Sequence, residues 1–298
     1  TLTLKADGSY SYVARPNSTT ANVQDVFSYT VTDADGDAAT TTLTINVANV
    51  TGVPASTTGA TVNESGLAAG SNPGVGHTAS GDLTLASGWS VGIGQSGSTA
   101  LGNWSVGTDG KFSYVLTSPT TDVAGVPETD TFTYTSVDQY GNTVSNTVVV
   151  AIVDDVPTAT PDTNSVTEGA TLTVNAASGV LANDKAGADG WQAGGGVTGV
   201  IAGSGTPVAG TAGSAVVGQY GTLTLKADGS YSYVARPDAT TANVQDVFSY
   251  TVTDADGDTA TTTLTINVAN VTGVPISTTG ATVNESGLAA GSNPGVGH

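Results

Sequence analysis

Through residues 26–32 and 42–47 the chain alternates. Phe27, Tyr29 and Val31 stand between Ser28, Thr30 and Thr32, and Leu43, Ile45 and Val47 stand between Thr42, Thr44 and Asn46. A period of two puts one row of side chains in a core and the other in water, which predicts two half-buried strands. The "DADGD" stretch between them carries the Asp-Gly signal of a hairpin. "TLTLKADGSYSYV" at 1–13 reads as a second hairpin of the same kind, and no long stretch has helical period. With 40 Gly among 298 residues, and Thr, Ser, Val and Ala filling most of the rest, the chain favours short strands joined by turns.

The pattern repeats. Residues 1–77 and 222–298 align without gaps at an offset of 221 and differ only at Asn17/Asp238, Ser18/Ala239, Ala38/Thr259 and Ala55/Ile276. The period itself splits, since "ADGSYSYVARP" at 6–16 has a diverged partner in "TDGKFSYVLTSP" at 108–119, and "TVNESG" at 61–66 echoes "SVTEGA" at 165–170. Two module types, A and B, therefore alternate in a tandem array. Residues 1–52 are the back of an A module, 53–156 a B module, 157–273 a complete A module, and 274–298 the start of the next B. Modules of this length suit an immunoglobulin-like sandwich. The expected fold is all-β: seven-stranded immunoglobulin- or cadherin-like sandwiches strung end to end in an extended array.

Charge narrows the function. Six basic against 25 acidic residues give a net charge of −19. Repulsion on that scale costs stability unless cations screen or bind the carboxylates. A polyanion is also a poor ligand for nucleic acid, whose affinity comes largely from Lys and Arg at phosphates. The absence of Cys removes disulfide stapling. No segment approaches the length of apolar chain that a membrane helix needs, so no direct membrane span is expected.

The acids are not scattered evenly. Asp33, Asp35 and Asp37, and their copies Asp254, Asp256 and Asp258, fall in five-residue stretches. One reading is a solvated turn, because Asp and Gly are common turn formers. An EF-hand is excluded, since Gly36 stands fourth in the stretch and Thr44 twelfth, where that loop needs Gly at six and Glu at twelve. The sandwich topology suggests another reading. If 1–13 and 25–47 are the D–E and F–G hairpins, the B–C, D–E and F–G loops of the complete A module share its N-terminal end. Those loops carry Asp184 and Asp189, Asp228, and Asp254, Asp256 and Asp258. The linker arriving there from module B brings Asp154 and Asp155, and Glu64, Glu128 and Asp130 of B are expected at the same end. Crowded carboxylates raise each other's pKa. A hard dication held by six to eight oxygens, Ca2+ rather than Mg2+ for a loop-built site, would relieve them. The A–B joint differs. Its linker "NVANVTGVP" offers Asn46 and Asn49, and the F–G loop "VDQYGN" of B offers Asp138 and Asn142, so weaker cation binding or a bare hinge is expected there.

"GTLTLKADGSYSYVARP…DVFSYTVTDADGDAATTTLTINV" resembles the VCBS and related cadherin-like or immunoglobulin-like repeats of giant bacterial surface adhesins, and "SVTEGATLTVNAASGVLANDKAGADG" is similar to their opening half. The resemblance implies type I secretion to the cell exterior, a rod of calcium-stiffened modules, and a role in adhesion and biofilm. It carries a metal-binding role onto Asp254, Asp256, Asp258, Asp33, Asp35, Asp37, Asp154, Asp155, Asp184 and Glu64. Partners are then neighbouring modules of the same chain and identical chains in a filament. The competing readings are a glycan-binding module using Trp89, Trp104 or Trp191, and a laterally assembling sheath. The Trp residues are expected in core or junction packing, and His77 and His298 on a loop surface. No catalytic constellation is visible, so no enzyme is expected.

Overall fold

The computed structural model describes residues 1–50, 56–123 and 126–273, so the predicted start of the next B module at 274–298 lies outside the described residues. Between 56 and 153 two four-stranded sheets face each other. One has the order β5 (Ser56–Asn63), β12 (Thr143–Val153), β11 (Thr129–Asp138), β7 (Trp89–Ser90). The other runs β6 (Thr78–Asp82), β10 (Lys111–Leu116), β9 (Gly102–Val106), β8 (Gln95–Ser98). The complete A module repeats the plan. Its sheets are β13 (Asp162–Thr167), β20 (Thr259–Ala269), β19 (Val244–Thr253), β15 (Val197–Ala202), and β14 (Thr171–Val174), β18 (Tyr231–Ala235), β17 (Gly221–Leu225), β16 (Ala215–Val217).

The first strand of each module runs parallel to the last, β5 to β12 and β13 to β20, while the remaining pairs are antiparallel. Gly59, at φ +130°, sits where the β5 register shifts opposite Val149 and Val150, a bulge that a side chain would strain. The predicted seven strands become eight. The extra edge strands β8 and β16 read "QSGS" and "AVV", too short or too small to show alternation.

Alternation does set the core. In β11 the buried residues Phe132, Tyr134 and Ser136 alternate with exposed threonines, and in β20 Leu264, Ile266 and Val268 are fully or almost fully buried. A polar pin ties the two sheets of each sandwich. Asp246 is buried on β19 and accepts from Tyr233 Oη of β18 at 2.8 Å, from Gln219 N at 3.0 Å and from Tyr220 N at 2.9 Å. In module B, Asp130 accepts from Tyr114 Oη at 2.6 Å and from the Thr99 hydroxyl.

Residues 1–50 hold two two-stranded sheets, β1 (Leu2–Leu4) with β2 (Tyr10–Tyr12), and β3 (Val23–Thr32) with β4 (Ala38–Val47). The pin is present here too, with Tyr12 Oη 2.5 Å from Asp25 Oδ2. What differs is cover. Tyr10 and Val31 are 53% and 54% exposed, whereas their copies Tyr231 and Val252 are 5% and 0% exposed under β13–β16.

Candidate metal centre at the B–A joint

β12 ends at Val153, and the next residues, Asp154 and Asp155, cross from B to A. The long connection from β14 to β15 folds back over the top of A through two 3-10 turns, Ala176–Ser178 and Val180–Ala182. It meets both neighbouring loops. Val180 N donates to Gly229 O of the β17–β18 turn, and Ala255 N of the β19–β20 loop donates to Gly190 O. All three loops therefore share one end of the module, as the sandwich topology predicts.

The two modules touch through apolar, polar and backbone contacts. Ala188 packs into the core cluster of B, beside residues such as Leu67 and Ile152. Asp155 reaches back to Ser71, accepting from its N at 2.7 Å and its Oγ at 2.5 Å, while Lys185 Nζ donates to Ser71 O at 3.0 Å. Gly187, at φ +84°, lies so close to Asp155 O that a Cβ would collide with it.

Against this surface the acids converge. Ligand-capable oxygens of Glu64, Asp154 and Asp189 lie within 4.8 Å of one another, and so do those of Asp254, Asp256 and Asp258. The two groups adjoin, because the Asp154 carboxyl meets that of Asp258 and feels Asp256, and Asp189 feels Asp256, Glu64, Asp254 and Glu128. Eight buried carboxylate oxygens here have no hydrogen-bond partner: Glu64 Oε2, both of Glu128, Asp154 Oδ1, Asp189 Oδ2, Asp254 Oδ2 and both of Asp256. Asp254 is fully buried, and only its Oδ1 is satisfied, by Gly257 N at 3.0 Å and Asp258 N at 2.7 Å. Burial, then the neighbouring Asp258, pushes Asp154 up to about 8. Burial and surrounding carboxylates take Asp189 to about 7 and Asp254 to about 6.

Unpaired buried acceptors cost on the order of 1–3 kcal/mol each, more when charged, so eight in one place favour protonation or a counter-charge. No Lys or Arg ion pair meets this group among the described residues, where the one salt bridge joins Lys111 to Asp82. An all-oxygen donor set without thiol or imidazole suits a hard cation. The residues present fit Ca2+.

Not every predicted acid joins them. Asp184 turns into its own module, accepting from Thr160 N at 2.7 Å and lying 3.1 Å from Tyr250 Oη, which also donates to Asp162 Oδ2 at 2.8 Å. Asp155 is committed to Ser71, and Asp130, expected at the joint, is the half-buried pin of B. Asp228 is held by Ser230. Asp33, Asp35 and Asp37 cluster in the same loop geometry but are exposed, with no module in front of them among the described residues. Trp104 stacks on Phe132 at 4.8 Å, and Trp191 packs against the core of A and bridges to Asp254, so neither is offered as a sugar platform. No helix among the described residues is long and apolar enough to cross a membrane.

Among solved structures the chain is similar to PcdhgB3 EC1-4, at 12% identity over 91% of this chain and 64% of that one with a TM-score of 0.30. It thus spans under two thirds of that chain's length. Mouse clustered PcdhgC3 EC1-3 gives 13% identity, 85% and 78% coverage and a TM-score of 0.32. A 1.5-MDa bacterial ice-binding adhesin, in a structure concerned with host cell surface retention, gives 19% identity, 82% and 73% coverage and a TM-score of 0.25. Likeness at these identities and TM-scores carries no argument about function. No curated protein matches the chain. Residues 154–270 match the family model of the bacterial cadherin-like domain and residues 1–46 that of the bacterial Ig domain, which bears out the resemblance to cadherin-like and Ig-like bacterial repeats.

Proposed function

We propose that this chain is a run of structural extender repeats from a bacterial cell-surface adhesin or extracellular filament, made rigid by calcium at the B–A joint. The observation that carries the reading is the set of eight buried, unpartnered carboxylate oxygens shared between two modules. Glu64, Glu128 and Asp154 on the B side, and Asp189, Asp254, Asp256 and Asp258 on the A side, would hold the ion. Its chemistry there is charge neutralisation. With the charge balanced, B's lower end and A's loops are fastened together, and the angle between modules narrows. Near-identical copies suit a task in which length matters and no unit is special. The partners are neighbouring modules and, in a filament, identical chains, outside the cell.

Thermal unfolding of the full chain in calcium, in magnesium and in chelator tests the reading. A ligand bound only to the folded state stabilises it by RT ln(1 + [L]/Kd), about 2.7 kcal/mol at a hundredfold excess over Kd. The expected result is a midpoint several degrees higher in calcium than in magnesium, lost in Asp154→Asn/Asp256→Asn. A midpoint indifferent to calcium would sink the proposal.

A further inference from the structure

The other joint in the chain is built from different groups. Residues 15–19 and 47–50, at the C-terminal end of the first A module, meet the β11–β12 loop of B across a groove of ≈ 390 Å³. Asn17 bridges it. Its Nδ2 donates to Thr143 Oγ1 at 2.8 Å, its Oδ1 accepts from Thr143 N at 3.1 Å, and its own N donates to Asn142 Oδ1 at 3.2 Å. Pro16 lies against Gly141 beside it. The one acid of that loop is closed on itself. Asp138 Oδ1 accepts from Tyr140 N at 2.9 Å and Asn142 N at 2.8 Å, and Oδ2 accepts from Asn142 Nδ2 at 2.8 Å. Those bonds hold its carboxyl below the usual range, the mark of a satisfied anion.

The complete A module shows the same substitution of amide for acid at its own C-terminal end. Glu168 takes the place that Glu64 has in B, and Asn270, just past β20, takes the place of Asp154, just past β12. Oriented by its neighbours, the Asn270 amide nitrogen lies 3.0 Å from Glu168 Oε1 and 2.8 Å from Thr240 O, and Val271 N donates to the same Oε1 at 2.7 Å. Where B sets a carboxylate against a carboxylate, A sets a hydrogen-bond donor against one. Among the described residues a single unpartnered oxygen, Glu168 Oε2, remains there, against four on the B side of the B–A joint.

We propose that the A–B joint is a cation-independent interface closed by side-chain amides, with Asn17 of A seated on Asn142 and Thr143 of B. Calcium then governs the B–A joint and not this A–B joint; the complete A module carries Asp238 in the place of Asn17, so the Asn17 contact is a property of the first A module. The contrast between the two joints rests on the calcium reading of the B–A joint; the amide interface stands without it.

Pairs of spin labels separate the two. The chain has no cysteine, so Thr44→Cys/Thr133→Cys reports the A–B joint and Thr133→Cys/Thr261→Cys the B–A joint, by pulsed dipolar distance distributions on the full chain. We expect the A–B distribution to be narrow and the same in calcium and chelator, and the B–A distribution to broaden in chelator. Asn17→Ala, an exposed change that leaves both cores intact, should broaden the A–B distribution alone. An A–B distribution that broadens in chelator, or that ignores Asn17→Ala, overturns the interface. If neither joint responds to chelator while Asn17→Ala still loosens A–B, the interface stands and the calcium reading of the B–A joint falls.

Discussion

Asp246 and Asp154 are both carboxylates withdrawn from water, and their surroundings give them opposite consequences. Three donors meet Asp246, so its charge is spread over short hydrogen bonds between the sheets. Asp154 meets other acids, and its Oδ1 has no donor. Hydrogen bonds to a charged group are worth about 1.5–3 kcal/mol. Tyr233→Phe, which leaves Asp246 two of its three donors and creates no cavity, should therefore lower the stability of the A module by about that amount in denaturant titration. The same deletion at Tyr12, where the bond to Asp25 is open to water, should have an effect within about 0.5 kcal/mol. Equal losses at both sites would mean the pin owes nothing to burial. The sequence shows which residues are acidic and roughly at which end of a sandwich they sit. It does not show which way each one turns. Asp130 and Asp184 were expected at the joint and face inward, because strand phase places one on Tyr114 and the fold of the long β14–β15 connection places the other on Tyr250.

At the scale of elements, β3–β4 and β19–β20 provide a comparison in which sequence is held almost constant. Both hairpins form in the same register, Phe27 opposite Leu43 and Phe248 opposite Leu264. Pairing is thus a local property, legible from alternation and from the Asp-Gly turn. Burial is not local. It comes from β13–β16, strands of another part of the chain that cover one hairpin pair and not the other. Opening free energies range from near zero for uncovered elements to the global value in a core. Amide exchange in β19–β20 should then be slower than in β3–β4 by on the order of 100-fold or more, read residue by residue at the matched positions. Comparable protection in both would require cover on residues 1–50 from a second molecule, which dilution would remove. The edge strands β8 and β16 were illegible for a related reason. A strand paired on one side, built of Gly, Ser and small apolar residues, has no face to declare.

For the whole molecule, pH reports the balance of charge at the B–A joint. Asp154, Asp189 and Asp254 have folded-state pKa values raised to about 8, 7 and 6, from an ordinary value near 4. In the metal-free chain the folded state therefore holds more protons than the unfolded one between about pH 4 and 8, so folding stability must fall as pH rises through that window. The general repulsion of a chain at net charge −19 acts in the same direction, but carboxylates with ordinary pKa values have finished titrating by about pH 6. The decline from pH 6 to 8 thus belongs to the raised groups. Asp154→Asn tests this, because it removes the highest of the three raised values. In chelator at pH 8 this variant should be more stable than the parent, since it deletes a half-buried charge set against Asp258 and Asp256. In calcium at the same pH the order should reverse, because the ion loses a ligand. The parent, with calcium bound, should become more stable from pH 6 to 8, as protons stop competing for the same oxygens. A reversal of sign between the two conditions is hard to obtain from screening alone, which would move both proteins together. A variant that is less stable than the parent in chelator as well would place Asp154 in an ordinary hydrogen-bonded role and leave the eight unpartnered oxygens to water.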